Sequence, residues 1–308
     1  MPHDEKPKRG ARVTEDCFAA LVRAFKASPR FQGYSESTQA TWGRELDHAS
    51  TPSTLGALSL HKIRPSLVQG YFDGIAHLPG KQAVALSALR QLEKWAIVRE
   101  LLPRQITLGV ETEEGDDDGH IPWTAEQVAI AEQHARADLA RAVTLGANTG
   151  QRGSDLIRMS PSDVETFNGR DGVNVRQKKT RKLIWVPITQ DLAAAMASWE
   201  RRPGPFLLRP NGKPWARKKL TDAWQHERDT NKALAPHREL GLVLHGLRAF
   251  ACVRLLRAGA NTRQISDMIG MSEEMVKRYT RFSEQKENAS AAVYHLDREA
   301  RERVENKT

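Results

Sequence analysis

The sequence predicts a mainly α-helical protein with a small antiparallel β-sheet, divided into two domains. Apolar residues recur at spacings of three and four through both halves of the chain. β-branched and aromatic residues alternate in one region only, between Ser162 and Ile188. A ten-residue acidic segment with no apolar periodicity, residues 111–120, separates the two helical stretches. With 308 residues, the chain is long for one compact domain, and either half can bury a core of its own.

Residues 1–12 are polar and basic and read as a flexible N-terminus. From Val13 to about Leu102 four amphipathic segments follow: EDCFAALVRAFKA, ESTQATWGRELDHA, RPSLVQGYFDGIAHL and KQAVALSALRQLEKWAIVREL. Turn residues at Ser28-Pro29, Thr51-Pro52-Ser53 and Pro79-Gly80 punctuate them. A helical bundle over residues 13–105 is the expectation. Residues 106–120 read as a linker containing six carboxylates, among them Asp116, Asp117 and Asp118. A carboxylate run of this kind is usually solvated and extended, so a metal site at Asp-Asp-Asp-Gly119-His120 is disfavoured.

Helical patterning resumes at Thr124 with TAEQVAIAEQHA and DLARAVTLGANTG, the latter stopping at Gly150. SDVETFN, GVNVRQ and LIWVPI then predict three short strands, joined at Asn168-Gly169 and at Lys178 to Lys182. Six further helical patterns follow Pro187, ending in EQKENASAAVYHLDREARERVE. The domain expected over residues 121–285 is therefore mainly helical with a minor sheet, with a separate helix over 286–308.

The composition, 39% hydrophobic and 28% charged, is that of a folded globular protein and excludes wholesale disorder. No apolar stretch approaches the roughly 18 residues of a membrane span and the start has no signal-peptide pattern, so the expectation is a cytoplasmic protein. Cys17 and Cys252 each sit in an apolar helical pattern and read as buried thiols rather than a disulfide or a zinc site. The net charge is +5 over residues 1–110, −6 over 111–120 and +10 over 121–308, for a total of +9; outside the acidic segment the chain thus carries +15. Such a surplus suits a polyanionic partner.

Several residues stand out chemically. His245-Gly-Leu-Arg248 begins an amphipathic helix, and its spacing puts imidazole and guanidinium on one face. Arg152 lies in Thr149-Gly150-Gln151-Arg152-Gly153-Ser154-Asp155, where one helix stops at glycine and the next begins near Ser154 as cap. Asp155 is placed to hold the Arg152 guanidinium. The turn between two strands carries Lys178, Lys179, Thr180, Arg181 and Lys182, and Tyr279 lies among Lys277, Arg278 and Arg281. Each feature alone has an ordinary explanation: a solvated helix edge, a surface ion pair worth under about 1 kcal/mol, a charged hairpin tip, a packing tyrosine.

Taken in order, Arg in TGQRGSDL, Lys in QKKT before VPI, then HGLR, then IGMSEEMVKRY, the sequence resembles the tyrosine recombinases, or phage-type integrases, over about residues 124–285. The resemblance implies a SAM-like helical core-binding domain followed by a mixed α/β catalytic domain. It also implies that Arg152 and Arg248 clamp a scissile phosphate, Lys179 protonates the leaving 5′-hydroxyl, His245 assists proton transfer, and Tyr279 is the nucleophile. Neither metal nor cofactor is implied. Lys178 is the alternative to Lys179. Where the family often has His or Trp after the glycine of IGM, this chain has Met271, which cannot donate a hydrogen bond but can pack.

Further contacts to DNA are expected from Lys178, Arg181, Lys182, Lys218, Lys219, Lys277 and Arg278. Tyr294, in an apolar face of the last helix, reads as a docking residue, and that helix resembles the family's subunit-exchange segment. The family's partners would be double-stranded DNA with specific recombination sites and three further subunits in a tetramer, with an excisionase or bending protein as accessory and a nucleoid association through DNA. With so short a basic start, a separate arm-binding domain of appreciable size is not expected. The acidic linker would face away from the phosphates. Integration or excision of a mobile element is the expected task. Dimer resolution, a catalytically inactive accessory protein, a metal-dependent nuclease on the acidic segment and a relaxing topoisomerase are the alternatives.

The charge distribution generates one prediction. If the basic surface engages six or more phosphates, affinity for duplex DNA falls about a thousandfold between 50 and 200 mM salt. Fluorescence anisotropy across that range measures the slope, and a salt-independent dissociation constant contradicts it.

Overall fold

The computed structural model describes residues 16–115, 120–200, 202–281, 289–290 and 292–293. The chain divides into two compact units, residues 1–117 and 118–308. As the sequence predicts, it is mainly helical with one three-stranded antiparallel sheet.

The first unit holds α1 (Phe18–Lys26), α2 (Pro29–Gln32), α3 (Glu36–Ala49), α4 (Pro65–Asp73) and α5 (Pro79–Ile97). Proline opens α2, α4 and α5, where its missing N–H costs no helical bond. Ser28 and Ser35 cap α2 and α3 by accepting from Phe31 N and Thr38 N. Phe18, Leu21, Val22 and Phe25 form one stripe of α1 and meet Leu46, Phe72, Leu89, Leu92 and Trp95 in the core.

The last helix of this unit is shorter than its apolar pattern, and the core continues beyond it. Ile106 and Val110 are buried with the helices, so residues 106–110, expected in the linker, are part of the first unit. The buried carboxylate of Glu93 fixes this return by accepting from Ile106 N at 2.5 Å, Thr107 N at 2.6 Å and Thr107 Oγ1 at 3.1 Å. Gln69 and Gln82 likewise hold the backbone of Glu111 and Glu113. The acidic triplet Asp116 to Asp118 lies outside the described residues, as do residues 1–12, Tyr294 and most of 286–308.

The second unit begins with α6 (Ala125–His134), closed by a Thr124/Gln127 capping box, and α7 (Ala137–Thr149). After α8 (Gly153–Leu156) come β1 (Val164–Phe167), β2 (Arg170–Arg176) and β3 (Leu183–Pro187), in the order β1-β2-β3. Asn168 and Gly169 both have positive φ, the requirement of a tight two-residue hairpin. Val173 pairs with Val186 and Val175 with Ile184, and all four are buried on one face. Then follow α9 (Gln190–Ala197), α10 (Arg217–Thr230), α11 (Ala235–Glu239), α12 (Gly246–Arg257) and α13 (Thr262–Ile269), with residues 273–281 also helical.

Leu139, Val143, Leu145, Trp224 and Leu247 join the sheet's buried face in the main core. Ala251, Cys252, Ile265, Ile269, Met271 and Val276 make a second cluster, against which Tyr279 packs. Both cysteines are free; Cys252 is buried, but Cys17 is only half-buried, because it precedes α1 rather than lying inside it. Among the described residues, no helix is long and apolar enough to cross a membrane.

Candidate active site

The site is built where α7 stops. Gly150 adopts φ +61° to end that helix, and a Cβ there would meet Ile269 Cδ1 at 3.0 Å and Ala251 Cβ at 3.1 Å. The turn before Arg152 therefore rests directly on α12 and on the end of α13. This close approach exposes two carbonyls, Gly150 O and Ile269 O, to the first turn of α12.

Arg248 fills that space. Its side chain is buried, with Nη1 donating to Gly150 O at 2.6 Å and to Ile269 O at 3.3 Å. Its Nη2 is also buried, with no hydrogen-bond partner among the described residues. Desolvation first, and then the charge of Arg152, pull the Arg248 guanidinium down to about 10, which still leaves it charged at neutral pH.

Gln177 ties the other pieces to the same point. Fully buried at the end of β2, it donates from Nε2 to Ile269 O at 2.9 Å and to Gln151 Oε1 at 3.0 Å. Its Oε1 accepts from Arg152 Nη1 at 3.2 Å and from Thr180 Oγ1 at 2.9 Å. Gln151 Nε2 adds a third side-chain donor to the Ile269 carbonyl, at 3.2 Å. One carbonyl at the end of α13 thus gathers Gln151, Gln177 and Arg248 from three separate motifs.

Asp155 does not hold Arg152. Its carboxylate accepts from Arg158 Nη2 at 2.8 Å and from the backbone N–H of Lys178 at 2.8 Å, so it anchors the hairpin instead. The one-turn helix α8 has Arg152 at its cap position with no side-chain cap bond, which also removes Ser154 from that role. The helix points Asp155 inward, toward the β2–β3 loop. There Lys178 and Lys179 are both exposed, and Arg181 takes φ +58° to close the turn.

His245 precedes α12 and is half-buried. Burial first, then His120, Arg248, Arg152 and Arg217, push its imidazole down to about 4, so it is neutral near pH 7. Arg217 lies in none of the sequence motifs, and His120 stands out in the sequence only beside the acidic triplet Asp116 to Asp118. Arg217 opens α10 immediately before Lys218 and Lys219, and only the fold turns its charge toward His245. His120 follows the acidic segment, and its ring centroid lies 4.7 Å from that of His245.

Tyr279 lies half-buried over the second cluster, close enough for its charge to act on Arg248. Met271 is buried in that cluster, with its Sδ 3.9 Å from Cys252 Sγ, so its side chain faces the core. The fold therefore brings Arg152, Arg248, His245 and Tyr279 together, with the lysine hairpin joined to them through Gln177 and Asp155. Lys182, Lys219, Lys277 and Arg278 are exposed, and Lys218 is paired with Asp222 at 2.7 Å. Among the described residues no group of three His, Cys, Asp or Glu side chains could hold a metal.

Residues 125–286 match the sequence profile of the phage integrase family. The chain belongs to that family, the tyrosine recombinases. No curated relative matches it in sequence. Its fold is similar to that of a lambda integrase dimer bound to a core site, at 17% identity and TM-score 0.70, covering 84% of this chain and 94% of that one. A lambda integrase tetramer bound to a Holliday junction matches at 16% identity and TM-score 0.70, over 90% of this chain and 81% of that one. The Tn1549 transposon integrase in complex with transposon right end DNA matches at 16% identity and TM-score 0.68, over 90% and 99%.

Gly270 is a tight constraint on this integrase-family site. It has φ +69°, and a Cβ there would lie 2.4 Å from Gln177 Nε2 and 2.9 Å from Ile184 Cδ1. Gly270→Ala should lower stability by about 2–4 kcal/mol, through left-handed strain and displacement of Gln177. Chemical denaturation measures this, and a change within about 0.5 kcal/mol would show that Gln177 is not held there.

Proposed function

We propose that this chain is a site-specific DNA recombinase that cleaves and rejoins strands through a 3′-phosphotyrosine at Tyr279. The single observation that carries the reading is the buried, unpartnered Nη2 of Arg248, in a site whose near neighbours are Arg152, Arg217 and His245. A buried guanidinium donor without an acceptor is costly, and a phosphate oxygen is the acceptor whose charge and geometry it fits.

In this mechanism Arg152 and Arg248 bind the non-bridging oxygens of the scissile phosphate and stabilise the charge that accumulates there. The Tyr279 oxygen attacks phosphorus as the bond to the 5′-oxygen breaks. Lys179 gives a proton to that leaving oxygen, and the phenolic proton leaves through His245, whose neutral ring can accept it. Rejoining is the reverse, with a 5′-hydroxyl displacing the tyrosine. No nucleotide is consumed, because the phosphotyrosine keeps the bond energy. Asp155 acts by holding the hairpin that carries Lys179, and Met271 by packing beneath Tyr279.

The DNA partner is supported by the basic surplus outside the acidic segment and by the DNA-bound complexes of the lambda and Tn1549 proteins. Lys178, Arg181, Lys182, Lys219, Lys277 and Arg278 are exposed cations suited to flanking phosphates. Lys218 would first have to exchange Asp222 for a phosphate. The first unit would grip the duplex as a core-binding domain. Assembly of four copies on DNA, for which the lambda integrase tetramer bound to a Holliday junction is the precedent, and the movement of a mobile element complete the proposal.

The test is covalent trapping. A pool of nicked duplexes with randomised sequence is incubated with the full chain in excess EDTA, and denaturant-resistant protein–DNA adducts are recovered and sequenced. Adducts on a preferred sequence are expected from the native chain, and Tyr279→Phe should form none. Absence of adducts with the whole pool would overturn the enzyme reading and leave a DNA-binding protein of integrase fold.

A further inference from the structure

Resting on that reading, we propose that His120 is a further catalytic residue, whose imidazole N–H donates to a non-bridging oxygen of the scissile phosphate. It stands outside the motifs that carry Arg152, Lys179, His245, Arg248 and Tyr279. Its place in the structure is nevertheless tightly specified.

The backbone of residues 121–123 lies across the beginning of α12. A Cβ on Gly246 would meet Ile121 O at 2.3 Å and Trp123 Cδ1 at 2.8 Å, so only glycine in His-Gly-Leu-Arg allows this crossing. Trp123 is buried, and its indole N–H donates to Val243 O at 2.9 Å, which fixes the register of the crossing. The residue just before this strap is therefore carried to the side of His245. There the His120 ring stands edge to face with it, at 4.7 Å and 74° between planes. His120 is exposed at the mouth of the site while His245 is half-buried, so the two rings line one wall from outside inward.

Met271 supplies no donor to the site. The methionine thioether is turned into the core beside Cys252, and no N–H or O–H comes from its side chain. Imidazole carries at least one N–H in either charge state, so His120 can donate at any pH at which the protein is folded. A phosphate held by Arg248 and His245 would lie beside the ring that stands against His245. The closeness of His120 to its neighbour is also seen in its contribution to the low pKa of His245.

The experiment uses the full chain and a nicked duplex selected from the randomised pool. Single-turnover adduct formation is followed for the native chain, His120→Phe and His120→Gln, with duplex affinity measured alongside. Phenylalanine keeps a ring against His245 but has no donor; glutamine keeps a donor without the ring. His120→Phe should slow adduct formation by about 100-fold with affinity unchanged, and His120→Gln should recover most of the rate. The Phe defect should persist on a substrate with sulfur in place of the 5′-bridging oxygen, whose departure requires no proton. Lys179→Ala should lose most of its own defect on that substrate.

A native rate for His120→Phe overturns the proposal while leaving the recombinase reading intact. Equal defects in Phe and Gln, which would show that a donor alone does not restore the rate, would also overturn it. Rescue of the Phe variant by bridging sulfur would reassign it to proton transfer. Failure of the native chain to form any adduct would remove this proposal together with the reading on which it rests.

Discussion

A guanidinium buried between two backbone carbonyls is the constraint on which the catalytic unit depends. Arg248 can sit below the surface only because α7 ends at a left-handed glycine and α13 ends at another, leaving Gly150 O and Ile269 O free to accept. Helix C-termini always leave carbonyls without intrahelical partners, and here they are satisfied by the side chains that line the site. Gln177 and Gln151 bond to the same Ile269 carbonyl, so moving any one motif disturbs the others. The site is rigid because its polar groups are shared. The network leaves Arg248 Nη2 without an acceptor among the described residues.

Charge follows from this arrangement. Burial pulls the Arg248 guanidinium down to about 10 and the His245 imidazole to about 4 in a setting where Arg152 and Arg217 add repulsion. The Asp155 carboxylate raises the Arg248 guanidinium and offsets part of this repulsion. Two apolar clusters flank the site, with Leu247 in one and Ala251, Cys252 and Met271 in the other.

Much of this was legible in the chain. Asn168-Gly169 announces a tight hairpin chemically, and the alternation of Val173, Val175, Ile184 and Val186 fixes which face is buried. Arg152, His245, Arg248 and Tyr279 were recognisable by order and context, and the structure brings them together. Asp155 was misread because sequence proximity suggested Arg152 as its partner, whereas the single turn of α8 aims the carboxylate at Lys178 N and Arg158. Ile106 and Val110 were assigned to the linker because a buried loop has no periodicity to detect; the signal available was Glu93, a carboxylate in an otherwise apolar helical face. Arg217, and the place of His120 beside His245 rather than in a metal site, are hidden in the sequence for a different reason. Their importance is a matter of neighbours far away in sequence, and nothing local distinguishes them from Lys218 or from the acidic run before His120.

The most direct measurement uses a substrate whose scissile phosphate is replaced by a neutral methylphosphonate. If the uncompensated charge of Arg248 serves to neutralise a non-bridging oxygen, Arg248→Ala should lose strand cleavage on the ordinary phosphate and regain a substantial part of it on the methylphosphonate, where that charge is absent. Equal cleavage of the phosphate by Arg248→Ala and the native chain would contradict the account, as would a variant inactive on both substrates while it still folds and binds the duplex.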